Sequence, residues 1–97
     1  MAATATTLDV STSDVTLFTQ DQDGGPCMGV HIFNRDTTRD LSVIVYGMHA
    51  TYQTIIQSKD EVFIAGSTNA ITKVVAKYAQ TPTVTTSNVT CNVVARA

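Results

Sequence analysis

The sequence predicts an all-β fold, an antiparallel β-sandwich or small barrel of about seven to eight strands. Thr and Val are its most frequent residues, and β-branched side chains pack well on a pleated surface but lose rotamer freedom in a helix. Hydrophobic residues recur with a period of two, and turn residues interrupt them every ~8 to 12 positions. The length suits one hydrophobic core, so we predict one domain over 1–97, with 1–5 as a flexible N-terminal arm.

Turn-forming residues bound each predicted strand. Segment 21–26 is the clearest loop, because its two glycines admit positive φ and its proline cannot donate to a ladder. In the strand that follows, alternation places Cys27 and His31 on the same face. The predicted strands are 6–10, 14–20, 27–34, 41–48, 51–57, 61–65, 70–79 and 89–96, with a further short extended segment at 83–86.

The segment 41–48 is apolar on both faces except at Ser42, which predicts a central strand covered on both sides, with Val45 in the core. The next two strands flank the turn 58–60 and are predicted to pair as a hairpin. A helix competes with a strand over 70–79, where the β-branched residues favour the strand.

Composition argues against several function classes. Charged residues make up 14% of the chain and the net charge is -2, so it offers no basic stripe and we expect no nucleic-acid partner. The longest apolar run, 43–48, is far shorter than the ~20 residues of a spanning helix, so we expect no membrane segment. Residues 1–7 lack the features of a secretory signal, which predicts synthesis in a cytoplasm.

No catalytic, cofactor-binding or metal-ligating residue is assigned. A nucleophile needs a base beside it, and the two histidines, His31 and His49, fall on a predicted strand and next to a turn. Cys27 and Cys91 have no metal-type spacing; two buried thiols are the simpler interpretation, and a disulfide between them is the alternative. We therefore predict a non-enzymatic protein without a cofactor.

Two short motifs suggest sites that the sequence does not complete. Asp21 and Asp23 before Gly24 match the opening of a calcium loop, but no glutamate follows at the required distance, so an ordinary loop is predicted. Residues 88–90 match the N-glycosylation pattern at Asn88. Because no secretory signal is predicted, we interpret this match as chance.

The aromatic residues lie on separate predicted strands with no basic residues between them. This placement favours core packing or a protein interface over a platform for stacking sugars or bases. They are Phe18, Phe33, Tyr46, Tyr52, Phe63 and Tyr78.

The segments LSVIVYG at 41–47, VFIAGS at 62–67 and ITKVVAK at 71–77 resemble small β-sandwich virion proteins of tailed bacteriophages, a likeness that extends over residues 5–95. The resemblance implies an accessory capsid decoration or cement protein, made in the host cytoplasm, that stabilises the virion by protein–protein contacts. Its expected partners are further copies of itself in a homo-oligomer such as a trimer, and a major capsid or other virion protein. The alternative is a β-sandwich module that binds carbohydrate or a protein receptor.

Overall fold

A computed structural model describes residues 4–66 and 68–96, which form eight strands and one short helical turn. The all-β prediction is confirmed, and three strands begin and end at the predicted residues. The elements are β1 (Thr4–Leu8), β2 (Val15–Thr19), α1 (Gln20–Asp23), β3 (Cys27–Asn34), β4 (Leu41–Gly47), β5 (Thr51–Ile56), β6 (Glu61–Ala65), β7 (Ile71–Tyr78) and β8 (Val89–Arg96).

The strands form two antiparallel halves of four. Hydrogen-bonded neighbours follow the order β1-β8-β3-β6 in the first half and β2-β7-β4-β5 in the second. Cys27 of β3 pairs with Ile71 of β7, and this single pair joins the halves into one hydrogen-bonded sheet. The strand order is that of a jelly roll, an eight-stranded double Greek key.

One hydrophobic core lies between the two halves. Val30 and Ile32 of the first half are fully buried, as are Val43 and Val45 of the second, and all four belong to the same buried cluster. Apart from Gly29, the residues that alternate with them on β3 and β4 are half-buried or exposed. Each half therefore has an inner face on the core and an outer face, as expected for a β-sandwich.

Strand β4 is central, between β5 and β7, but only its inner face is buried. The prediction that it is covered on both sides is wrong, because Ile44 is half-buried and Tyr46 exposed on the outer face. An antiparallel sheet needs only one covered face. Apolar residues on the other face of β4 therefore mark a surface rather than a second core.

The predicted hairpin of 51–57 with 61–65 is also wrong. Strand β5 pairs with β4 and β6 pairs with β3, so the turn between them carries the chain from one half to the other. The short segment 83–86 is loop rather than strand. Thr4 and Ala5, which the sequence assigns to the arm, belong to β1, and residues 1–3 lie outside the described residues.

Replacing Val45 with Asp should unfold or severely destabilise the domain. The side chain is fully buried among apolar neighbours, and an unpaired carboxylate there costs several kcal/mol, a large part of the ~5 to 15 kcal/mol that stabilises a typical domain. Val94→Asp is the matched control, because Val94 lies exposed on an outer face. Chemical denaturation followed by circular dichroism checks both, and a Val45→Asp protein as stable as the control would show that Val45 is not core.

Candidate interaction surface

Four buried polar side chains meet at one end of the sandwich: Asn34, Asp36, Tyr78 and Asn88, here called the polar cluster. The Tyr78 hydroxyl donates to Oδ1 of Asn34 at 2.7 Å, and the same oxygen accepts the backbone N–H of Asp36 at 3.1 Å. Nδ2 of Asn34 donates to the carbonyl of Ile56 at 2.9 Å. These contacts tie the end of β3 to the end of β7.

The Asp36 carboxylate binds backbone N–H groups from two loops. Oδ1 accepts from Val84 at 2.6 Å, and Oδ2 accepts from Arg39 at 2.7 Å and from Thr38 at 3.2 Å. Burial by itself would raise the pKa of Asp36, but these backbone hydrogen bonds outweigh it and hold the pKa below its ordinary value. Burial and the nearby Asp36 charge raise the pKa of Tyr78. Asp36 is thus ionised and Tyr78 neutral near pH 7.

The Asn88 side chain hydrogen-bonds backbone groups that have no neighbouring strand to pair with. Its Oδ1 accepts the N–H of Val10 at 2.9 Å, and its Nδ2 donates to the carbonyls of Val10 at 2.8 Å and Val84 at 2.7 Å. Both amide hydrogens are therefore engaged in a buried site. A glycan on this nitrogen would break these contacts, which favours the interpretation of the glycosylation pattern as chance.

The polar cluster joins all four connections at this end of the fold. Asp36 lies between β3 and β4, and its carbonyl accepts the N–H of Lys59 between β5 and β6 at 3.1 Å. Val10, between β1 and β2, and Val84, between β7 and β8, supply the other loops. A carboxylate so fully hydrogen-bonded holds loops in place rather than transferring protons.

A shallow depression of about 250 Å³ lies beside the polar cluster. Its two charged side chains, Arg39 and Asp40, are exposed. Its lining residues are Thr38, Arg39, Asp40, Ala79 and Gln80.

The structure separates the cysteines from the histidines. Cys27 and Cys91 are buried thiols in the core, as the simpler interpretation predicts, and lie near opposite ends of the paired strands β3 and β8. His31 is on the outer face, and His49 is exposed in the β4–β5 turn. The prediction that Cys27 and His31 share a face is wrong, because register shifts around Gly29 break the alternation of β3 against β8.

The segment that resembles a calcium loop begins with the helical turn α1. Gly24 ends that turn in the left-handed conformation, with φ of 82°, and the N–H of Gly25 donates to the carbonyl of Gln20 at 2.8 Å. Within residues 4–66 and 68–96, no three His, Cys, Asp or Glu side chains are grouped to hold a metal ion. The glycines therefore have a structural explanation as a helix cap.

An aromatic side chain lies exposed on the outer face of the first half. Phe63 of β6 is 56% exposed, and Val94 of β8 is 42% exposed. Between them lies Gly29 of β3, where an added Cβ would stand 2.9 Å from Phe63 Cζ and 3.3 Å from a Val94 methyl group. The Phe63 ring therefore packs directly over Gly29, where a larger residue would leave no room for it. We call Phe63, Gly29 and Val94 the outer patch.

Polar groups border the outer patch. His31 stands directly opposite Phe63 in the β3–β6 pair, and its Nε2 lies 3.4 Å from a carboxylate oxygen of Glu61. On the other side of β3, His31 is opposite Asn92, whose Oδ1 is buried without a hydrogen-bond partner. The rim therefore has an exposed ionisable pair on one side of His31 and a buried acceptor without a hydrogen-bond partner on the other, both beside an apolar centre.

A second aromatic residue extends the rim along β3. Phe33 is half-buried, and the Arg35 guanidinium lies 5.2 Å from its ring centroid. Nε of Arg35 donates to Oγ1 of Thr90 at 3.0 Å. Phe33 and the patch residue Phe63 are the aromatics that the fold brings to one face, while Phe18 and Tyr78 are core residues.

No family model matches the chain, and neither a curated protein nor a solved structure is significantly similar to it. The description as a jelly roll therefore depends on strand order. None of the helices in the described part of the chain is long and apolar enough to cross a membrane.

Asp36→Asn should lower stability at neutral pH and remove one source of acid sensitivity. The pKa of Asp36 is lower in the folded than in the unfolded chain, so ionisation stabilises the fold above ~pH 4, and this contribution is lost as pH falls through the folded pKa. The difference in unfolding free energy between wild type and variant should therefore shrink on acidification. Urea denaturation between pH 7 and pH 3 measures it, and a constant difference would contradict the assignment.

Tyr78→Phe should cost about 1 to 2 kcal/mol of unfolding free energy, because it removes the 2.7 Å hydrogen bond to buried Asn34 while keeping the ring. Tyr46→Phe is the control, because Tyr46 is exposed on the outer face of β4. Thermal and urea denaturation should show a lower midpoint for Tyr78→Phe alone. Equal midpoints for the two variants would mean that the hydroxyl does not support the loops.

Proposed function

We propose that the chain is a non-enzymatic structural protein of a virion, an accessory decoration or cement protein that binds the capsid surface through the outer patch. The observation that carries this proposal is the Phe63 ring, which is 56% exposed on a rigid sheet and lies over Gly29 beside Val94. Phe63 lies on β6, which pairs with β3 without a register shift, so little order has to be gained when a partner covers the ring.

The form of the outer patch favours a protein partner. Small ligands occupy concave sites, whereas this ring stands on the outer face of a sheet. Aromatic side chains are enriched at the centres of protein interfaces, where polar groups surround them. The ring of Phe63 with His31, Glu61 and Asn92 nearby has this arrangement.

The strand order adds support by analogy. Jelly rolls occur in viral capsid proteins, in lectins and in cupins. Fold alone does not determine function. The analogy therefore supports the proposal only together with the outer patch and the low fraction of charged residues, 14%, which leaves few charges to be desolvated in a contact.

Carbohydrate binding is the second candidate, and one observation favours it. Oδ1 of Asn92 has no hydrogen-bond partner, and it belongs to the face that carries Phe63. That oxygen is buried, so the Asn92 side chain would have to rotate before a sugar hydroxyl could donate to it while the apolar side of the sugar ring stacks on an aromatic side chain. A glycan array with wild type and Asn92→Ala separates the candidates, since a capsid-binding protein should bind no glycan.

Phe63→Ala should abolish or strongly weaken capsid binding and leave the fold intact, because the side chain is largely exposed. Truncation of a central aromatic residue of an interface commonly costs ~2 kcal/mol or more, at least ~30-fold in affinity. Met48→Ala is the control, because Met48 is an exposed apolar residue in the β4–β5 turn, away from the outer patch. Sedimentation of each variant with particles purified from the natural source measures binding.

Wild type and Met48→Ala should sediment with the particles at a constant ratio, and Phe63→Ala should remain in the supernatant. Two results would contradict the proposal. One is wild-type protein that does not sediment with particles of its source. The other is Phe63→Ala that binds as tightly as wild type, which would place the contact on another surface.

A further inference from the structure

The free edges of the two halves differ in how well they are protected from pairing with another chain. Charges, bulges, prolines and short length normally block such pairing. Strand β6 begins with Glu61, and β2 has a register shift between Thr16 and Phe18. The other two edge strands are β1, with five residues, and β5, with six.

Strand β5 carries none of these protections. Its sequence, TYQTII, has no charge, proline or glycine, and its pairing with β4 runs from Thr51 to Ile56 without a register shift. The adjacent strand β4, LSVIVYG, is also uncharged. The two strands at this edge of the second half therefore carry no charged side chain.

We propose that β5 is a self-association edge: two copies of the chain pair their β5 strands antiparallel about a two-fold axis that passes through Gln53. The second copy is the favoured occupant because this edge repels no charge and because its side chains complement one another in that register. The proposal concerns the purified chain and does not depend on the role in a virion.

The register follows from the hydrogen-bond pattern of β4 with β5. The N–H of Gly47 donates to the carbonyl of Ala50 at 2.9 Å, which makes 47 and 50 a hydrogen-bonded pair. Alternation along an antiparallel ladder then directs the backbone groups of Tyr52 and Thr54 toward β4 and those of Gln53 away from it. Thr51, Gln53 and Ile55 therefore point their N–H and C=O groups at the free edge. A two-fold axis at residue 53 forms about six main-chain hydrogen bonds with the second copy.

Side chains match in the same register. On the outer face, Ile55, which is 55% exposed, stands opposite Thr51 of the second copy. On the inner face, Tyr52 is 41% exposed because the core ends at this edge, and it stands opposite Thr54 of the second copy. Such cross-strand pairs of aromatic or β-branched residues stabilise sheets. Dimerisation would cover the apolar side chains that β5 leaves exposed.

Charges stay far apart in this arrangement. The nearest charged residue along the chain from β5 is Lys59, in the turn after β5, and its two copies would lie at opposite ends of the paired strands. Gln53 instead faces its own copy across the axis. Its Nε2 donates to Oγ of Ser42 at 2.6 Å, which holds the side chain along the sheet.

The test uses charge at the axis. Gln53→Lys and Gln53→Glu each place two like charges directly opposite one another, which should weaken dimerisation about fivefold. An equimolar mixture of the two variants should restore the dimer, because Lys then faces Glu. Thr16→Lys is the control, since it adds the same charge to the exposed face of edge strand β2. Light scattering with sedimentation equilibrium gives the mass of each sample.

Wild type and Thr16→Lys should dimerise equally, each Gln53 variant alone should dimerise more weakly, and the equimolar mixture of the two variants should recover the wild-type dimer. Restoration in the mixture also shows that both variants are folded. Hydrogen exchange should protect the amides of Thr51, Gln53 and Ile55 in the wild type and release them in Gln53→Lys. A wild-type monomer at every concentration, a closed trimer, or a dimer that both substitutions leave intact would overturn the proposal.

Discussion

The polar cluster is the interaction on which the arrangement of the loops depends. Of the seven connections between the strands in the described residues, six pass from one half to the other, and the β4–β5 turn joins neighbouring strands. The backbone N–H and C=O groups of a loop that crosses between the halves have no neighbouring strand to hydrogen-bond with. At one end, the Asp36 carboxylate and the Asn34 and Asn88 amides supply those partners, so apolar strands and polar loops are stabilised as one unit.

At the opposite end of the fold, a single side chain hydrogen-bonds the backbone groups of a turn. Asn69 precedes β7, and its side chain accepts the N–H groups of His49 and Ala50 at 2.7 and 3.0 Å and donates to the carbonyl of Ala50 at 3.1 Å. Gly47 makes room for it, because a Cβ at that position would clash with the Asn69 side-chain amide. The β4–β5 hairpin is therefore closed by a side chain from the loop between β6 and β7.

Sequence periodicity predicted the strands well and their partners poorly. The bounds of β3, β6 and β8 follow from alternation between clear turn residues, which is local information. The failed hairpin across 58–60 is different, because the same turn chemistry serves a hairpin and a crossing between sheets. The buried polar residues were missed because Asn and Asp are typical of exposed loops. Only contacts between distant parts of the chain bury Asn34, Asp36 and Asn88. One signal in the sequence could have predicted this buried site. Tyr78 is a polar aromatic residue at an inward-facing position near the end of a strand, so its hydroxyl needs a buried partner.

The two proposed surfaces reinforce one another through symmetry. A two-fold axis that pairs β5 strands antiparallel is perpendicular to the sheet, because only then do inner faces stay on one side. The outer patches of both copies then face the same direction. A capsid repeats its subunits, so a dimer with two such patches can engage two neighbouring sites, and linked binding can raise affinity about 10²- to 10⁴-fold without a new contact. The small outer patch of Phe63, Gly29 and Val94 would then give tight binding to a repeating capsid surface and only weak binding to an isolated capsid subunit.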